Sequence, residues 1–328
     1  MKNCIKENTC LCGDNRYKVI RKGVKYLLKK GKPPAKIIKC VHCDLARTFP
    51  SPAPSEFYNE SDKGYLYMLE NEDLWRRFAG NILSEISGYK PSGELLDVGC
   101  GIGILADEAN KKGYQASGLE INPDAASVGR ERYKVSLFNL SISQMSASDK
   151  RWDVVILNHV LEHLLQPVQF LSDCRRLLKE DGILYIGVPS YKSWTAIVEG
   201  KDWPHFFVDQ HIWQWTHKTI CEVVNMAGLS IVNIHSKRNN HYHFGGARGK
   251  IKRPLYRFFE IIGKGDQIIL IAKNFNKGIT SPEPDLSDKT RLLRCVSNDT
   301  QSRGVIARGE APKQSNVDNI MNLVSVLL

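Results

Sequence analysis

The chain has 328 residues, 42% of them hydrophobic and 25% charged, with nine cysteines and a formal net charge of +11. That balance is a globular one, and no apolar run approaches the ~20 residues needed to cross a bilayer. The opening residues, MKNCIKENTCLC, lack the apolar core of a signal peptide, so the chain is read as cytoplasmic and its cysteines are not read as a disulfide framework.

Along the chain, Cys4, Cys10, Cys12, Cys40 and Cys43 crowd the first 43 residues, whereas Cys100, Cys174, Cys221 and Cys295 are scattered. The stretch Asn15 to Cys40 carries ten Lys or Arg and no acid. Such a run suits an anionic partner or is simply a solvated surface. PSPAP, Pro50 to Pro54, is a stiff linker by composition. Over residues 66–87, Leu74, Phe78, Ile82 and Ile86 recur every four positions and predict a helix.

From Glu94 to Asn274, apolar strand-like runs alternate with helical patterns, the signature of an α/β fold. Strands are expected at 94–100, 115–121, 152–158, 183–189, 229–236 and 266–274. Helices are expected at 103–113, after Asn122 as N-cap with Pro123 in the first turn, at 168–182 and at 217–228. The last two strands lack a helical crossover, which predicts an antiparallel edge on an otherwise parallel sheet. A basic insert at 237–264 holds eight Lys or Arg against the single Glu260, and includes the amphipathic RPLYRFFEIIG, which suits phosphates or a membrane surface. The domain reading is therefore a Cys-rich segment at 1–50, linker and helix at 51–90, an α/β domain at 91–275 and a flexible polar tail at 276–328.

The sharpest motif is LLDVGCGIGILA. A strand that ends in Gly99-x-Gly101-x-Gly103 and enters a helix lets a ligand approach the backbone closely. Glu120 follows at the end of the next strand, where a doubly wound nucleotide fold places a carboxylate for ribose hydroxyls. Ile104 stands where a dinucleotide fold wants Gly or Ala, and Asp97 puts an acid just before the glycines. Together these describe a nucleoside ligand with a cationic, phosphate-free tail. With GLEINPDAASVGRER, WDVVILNHVLEHLLQP, LLKEDGILYIGVP and HIWQWTHKTICEVVNMAGLSIV in order, the chain resembles the class I S-adenosylmethionine-dependent methyltransferases. The resemblance implies a Rossmann-like seven-stranded, mostly parallel sheet. It also implies that Asp97, Gly99, Gly101 and Gly103 line the methionine end of S-adenosylmethionine. Glu120 would bind the ribose, Ile121 would pack on the adenine, Ser141 would flank the base and Asn158 would lie near the methionine moiety.

His159-Val160-Leu161-Glu162-His163 spells H-x-x-E-H, a zinc-peptidase signature that requires both histidines on one helix. Here it begins directly after a strand, so it reads as a strand-to-helix loop, with the peptidase as a remote alternative. His159 is a candidate base facing the acceptor. DWPHFFVDQHIWQWTH (202–217) is a long aromatic connection and the other candidate wall of the acceptor pocket, and His205 and His211 are further base candidates.

KCVHCDLARTFPSPAPSEFYNES resembles the zinc-ribbon-like module found before some of these methyltransferases, notably those acting on sugars. The resemblance implies structural zinc on Cys10, Cys12, Cys40 and Cys43. The first knuckle is one residue short of C-x-x-C, which leaves a distorted site, a substitute ligand in Cys4 or a relic without metal. The leading expectation is methyl transfer to a small-molecule or glycosidic acceptor, such as a nucleotide-linked sugar. Nucleic acid is the alternative partner, through the basic run at 15–40.

Overall fold

The computed structural model describes residues 9–28, 31–52, 64–237 and 264–274. Most of the basic insert, the tail from residue 275 and Cys4 lie outside the described residues.

Seven strands build the central sheet: β4 (Gly93–Val98), β5 (Tyr114–Leu119), β6 (Ser136–Phe138), β7 (Trp152–Asn158), β8 (Leu178–Pro189), β10 (Leu229–Lys237) and β11 (Gln267–Asn274). Their order is β10-β11-β8-β7-β4-β5-β6. The pairs β4–β5, β5–β6, β4–β7 and β7–β8 are parallel. The expected antiparallel pairing lies at one edge: β11 runs against both β8 and the outermost β10. Parallel strands covered on both faces need continuous apolar runs, and β7 supplies one, with Val154 to Leu157 fully buried.

Helices cover both faces. Against one pack α2 (Glu72–Ser87), through Ala79, Ile82, Leu83 and Ile86, and α3 (Ile104–Lys111), through Leu105, Ala106 and Ala109. Against the other pack α6 (Pro167–Leu177), through Leu171, Cys174 and Leu177, and α7 (His217–Met226), through Ile220, Val223 and Val224. Two shorter helices follow strands on the same plan, α4 (Pro123–Tyr133) after β5 and α5 (Ile142–Ser146) after β6. Asn122 caps α4 as expected, its side chain accepting from the N–H groups of Asp124 and Ala125, with Pro123 at the first helical position.

Two boundaries differ from the sequence reading. The periodic stretch 66–87 is two helices, α1 (Gly64–Glu70) and α2, separated at Asn71. The helix expected to reach Gly182 stops at Leu177, because Leu178 already pairs with Trp152 and the chain bulges before Ile183 pairs with Val154. Strand pairing with β7 outweighs local helical propensity there.

The N-terminal segment forms β1 (Tyr17–Val24), β2 (Ala35–Cys40) and β3 (Ala46–Phe49), an antiparallel sheet. Its fourth strand is β9 (Trp213–Gln214), borrowed from the aromatic connection, with Ala46 opposite Gln214 and Arg47 opposite Trp213. Val24, Ile37 and Ala46 share a core with Trp203, Phe206 and Val208. Residues 17–49 are thus closed by the connection that was expected to wall the acceptor pocket. The basic side chains Arg16, Lys18, Lys22, Lys25 and Lys36 are exposed, as in an ordinary solvated face.

Candidate functional site

The strand order reverses between β4 and β7, and a doubly wound sheet opens a crevice at the carboxyl ends of such strands. Val98 runs into Gly99, Gly101 and Gly103 there, at φ of +75°, +56° and +79°. These left-handed conformations strain any residue with a Cβ. Contact is tight as well: a Cβ on Gly101 would lie 2.7 Å from Sδ of Met68 in α1. With Tyr65 and Leu69, Met68 packs α1 onto Ile102 and Ile104, so this short helix roofs the glycine loop.

Glu120, at the end of β5, accepts the N–H of Gly101 on Oε2 and that of Asn122 on Oε1, both at 2.8 Å. Burial raises its pKa, against the donor N–H groups around it. Asp97 is 5% exposed, and its pKa is pushed up to about 7 by burial and the nearby Glu120 charge. Among the described residues no counter-charge meets this buried carboxylate. Next to this pair, Ile121 and Leu140 are 47% and 38% exposed at the ends of β5 and β6, two apolar side chains without cover. Ser141 spends its hydroxyl on a capping box with Gln144 at the start of α5.

Across the crevice, β7 delivers Asn158 and His159. The His159 N–H donates to the Gly187 carbonyl at 2.8 Å, and His159 sits at φ +57°. Gln267, at the start of β11, donates to Asn158 Oδ1 at 3.0 Å and lies 3.3 Å from His159 Nε2. Gly187 makes room for this group, since a Cβ there would meet Asn158 Oδ1 at 2.5 Å and Gln267 Nε2 at 2.8 Å. On its other side His159 Nδ1 lies 3.0 Å from Glu162 Oε1. Glu162 is completely buried. Burial works to raise its pKa, but the hydrogen bond and charge of His159, with His163 and His211 nearby, hold it at about 2. The ionised carboxylate only accepts, so His159 donates through Nδ1 and presents a basic Nε2. Gln267 was legible only as a polar residue opening an otherwise apolar strand, and Met68 carried no signal at all.

H-x-x-E-H does not lie on one helix: it spans the loop after β7 and a 3-10 turn, Leu161–His163. His163 Nδ1 approaches the Gln210 carbonyl at 3.3 Å, away from His159. His211 is 6% exposed, gives Nδ1–H to the His205 carbonyl at 2.9 Å, and is pushed down to about 3 by burial and the neighbouring His163. Its imidazole is a fixed, neutral group. His205 packs edge-on against Trp203, with ring centroids 5.3 Å apart.

The four cysteines assemble. Cys10 and Cys43 sulfurs lie 3.4 Å apart, those of Cys12 and Cys40 3.7 Å apart, and all four fall within 4.8 Å of one another. The shortened knuckle closes through Gly13, at φ +86°, whose N–H donates to the Cys10 carbonyl at 2.9 Å. Burial raises the Cys12 thiol to about 12, and the hydrogen bond with Cys10 followed by burial raises Cys43.

Residues 68–234, just over half of the chain, match the family described as methyltransferase domain. The chain belongs to this family. Its sheet is that of the class I S-adenosylmethionine-dependent methyltransferases. Among curated proteins, the ubiquinone biosynthesis O-methyltransferase of Glaesserella parasuis is 29% identical over 122 residues, 34% of this chain and 52% of that protein. The Cereibacter sphaeroides enzyme of the same name is 27% identical over 150 residues, 42% of this chain and 61% of that protein. The match thus spans about half to three fifths of these relatives. Among solved structures, a chain from the complex between the Haloferax volcanii Trm112 methyltransferase activator and a methyltransferase superposes with a TM-score of 0.53 at 18% identity, over 68% of this chain and 99% of that one. A S-adenosylmethionine-dependent methyltransferase of Thermotoga maritima superposes at 0.50 with 16% identity, over 67% of this methyltransferase and 99% of that chain. Among the described residues, no helix is long and apolar enough to cross a membrane.

Proposed function

We propose that this methyltransferase transfers a methyl group from S-adenosylmethionine to a hydroxyl of a small-molecule acceptor. The observation that carries the reading is Asp97, a buried carboxylate with no counter-charge among the described residues, beside a left-handed glycine loop and Glu120. That donor set fits the cofactor: Asp97 takes the ammonium, Glu120 accepts from the ribose hydroxyls, and Ile121 with Leu140 offers apolar flanks to the base. Ser141, occupied in its capping box, lends backbone shape more than a side-chain contact. When bound, the cofactor supplies an electrophilic methyl on a sulfonium that already leaves well, so the protein mainly aligns the acceptor and removes its proton.

Asn158, fixed by Gln267, borders the cofactor on the β7 side. His159 is the base: Glu162 holds its Nδ1–H, and Nε2 is positioned by Gln267 until an acceptor hydroxyl replaces that contact. His205 and His211 are assigned to positioning, because His211 is buried and neutral and His205 holds it through its carbonyl. The relatives' name, an O-methyltransferase of ubiquinone biosynthesis, agrees with a hydroxyl acceptor. The nucleotide-sugar acceptor expected from the cysteine segment remains the narrower form of this proposal. We also assign Cys10, Cys12, Cys40 and Cys43 to one structural zinc. Tetrahedral zinc with bonds of about 2.3 Å sets sulfurs about 3.8 Å apart, near the spacings found.

Calorimetry with S-adenosylhomocysteine tests the cofactor half, and a panel of phenols, catechols and sugar nucleotides tests the acceptor half. No binding of S-adenosylhomocysteine would end the whole reading; turnover of RNA alone would end the small-molecule part.

A further inference from the structure

Beneath the candidate base lies a second cluster, of which the methyl-transfer reading uses only Glu162 Oε1 and a positioning role for His211. Glu162, His163 and His211 each offer one ligand atom, and the three atoms lie within 4.8 Å of one another. Glu162 is fully buried, its Oε1 serves His159, and its Oε2 is buried with no hydrogen-bond partner among the described residues. A buried carboxylate oxygen left without a donor is costly unless a proton donor or a cation meets it. Both imidazoles are oriented by backbone carbonyls, His163 through Gln210 and His211 through His205, each by way of Nδ1. That tautomer places the lone pair on Nε2 and is the arrangement that orients metal-bound histidines. The His163 and His211 rings meet edge to face, with centroids 4.8 Å apart.

We infer that Glu162 Oε2, His163 Nε2 and His211 Nε2 form a buried site for a divalent transition-metal ion, with zinc favoured by the two-imidazole, one-carboxylate set. The ion would sit between two segments far apart in sequence. These are the turn after β7 and the aromatic connection, already joined by Ile212 N–H on the Glu162 carbonyl at 2.8 Å and Trp213 Nε1–H on the Leu164 carbonyl at 2.7 Å. Sealed under that turn, it acts as a clasp. It fixes the aromatic connection, and through the shared carboxylate of Glu162 it orients His159. This is not the peptidase arrangement: His159 is the residue held by the carboxylate, and His211 takes the ligand position that H-x-x-E-H would give it.

Cobalt(II) titration of the full chain, stripped of metal by chelator, separates this site from the cysteine cluster. Thiolate ligands give intense near-ultraviolet charge-transfer bands, whereas an imidazole and carboxylate set gives only weak visible bands. The wild type should show a weak-band class of about one equivalent. Glu162→Gln and His211→Gln should each lose it or weaken its affinity by at least about tenfold, with any thiolate bands retained. Cys40→Ser with Cys43→Ser should leave the weak bands in place. A wild type without the weak-band class overturns the inference, as does a class that survives both Glu162→Gln and His211→Gln. Circular dichroism and S-adenosylhomocysteine binding report whether the variants fold, and the wild-type titration decides even if they do not. Because the readout is metal binding, a negative result leaves the methyl-transfer reading standing.

Discussion

His159 donates its Nδ1–H to the buried carboxylate of Glu162 across 3.0 Å, three residues along a chain that turns sharply at φ +57°. The pairing orients a half-buried loop histidine for the role of base proposed above, with Nε2 facing Gln267. On an acceptor found by panel screening, His159→Asn should lower kcat by about 10²–10⁴, the usual contribution of a positioned base. S-adenosylhomocysteine affinity should change little. Glu162→Gln should lower kcat less and move the pH profile of kcat, since it acts through His159; equal kcat in wild type and His159→Asn would refute the assignment.

Glu120 links the glycine loop to α4 by accepting from Gly101 and Asn122. Glu120→Ala removes the acceptor proposed for the ribose hydroxyls. A lost hydrogen bond to a charged group, at about 1.5–3 kcal/mol, weakens S-adenosylhomocysteine roughly ten- to hundredfold by calorimetry.

Asp97 has a folded-state pKa near 7, above the ordinary carboxylate value of 3.8. The folded protein without cofactor therefore holds a proton that the unfolded chain releases, and Asp97 subtracts stability as pH rises from about 4 to 7. Asp97→Asn should raise the Tm of the cofactor-free protein at about pH 8 and lose that advantage near pH 4. An ammonium partner reverses the shift, so S-adenosylhomocysteine binding should release a proton below pH 7 and weaken as pH falls. Calorimetry in buffers of different ionisation enthalpy measures that release. A pH-independent affinity would show that Asp97 does not meet the ammonium.

Gly101 combines φ +56° with a Met68 sulfur at 2.7 Å from any Cβ placed there. Gly101→Ala costs about 1–2 kcal/mol in backbone strain and displaces α1 from the loop, so both Tm and S-adenosylhomocysteine affinity should fall. Met68→Ala in the same chain should recover part of the affinity and none of the backbone cost.

Removal of zinc from the cysteine cluster should lower Tm by several degrees, because β1 to β3 are tied to β9 and lose their clamp. Cys40→Ser with Cys43→Ser should reproduce that loss and abolish its reversal by added zinc; identical melting with and without zinc would argue for a relic site.

The sequence by itself determined the sheet and the loop. Continuous apolar runs, Gly99, Gly101 and Gly103 after a strand, and Glu120 at the end of the next are local patterns, each fixed by backbone chemistry over a few residues. Asn122 and Pro123 were readable for the same reason. Only the tertiary structure decided which groups meet. Gln267 reaches Asn158 because β11 inserts between β8 and β10, and His211 reaches Glu162 because the aromatic connection lends β9 to the N-terminal sheet. Both contacts depend on strand pairing between segments far apart in the chain, which no local spacing encodes. The spelling H-x-x-E-H was local too, and His159 meets Glu162 within it, but its remaining contacts were set by burial and by neighbours about fifty to a hundred residues away.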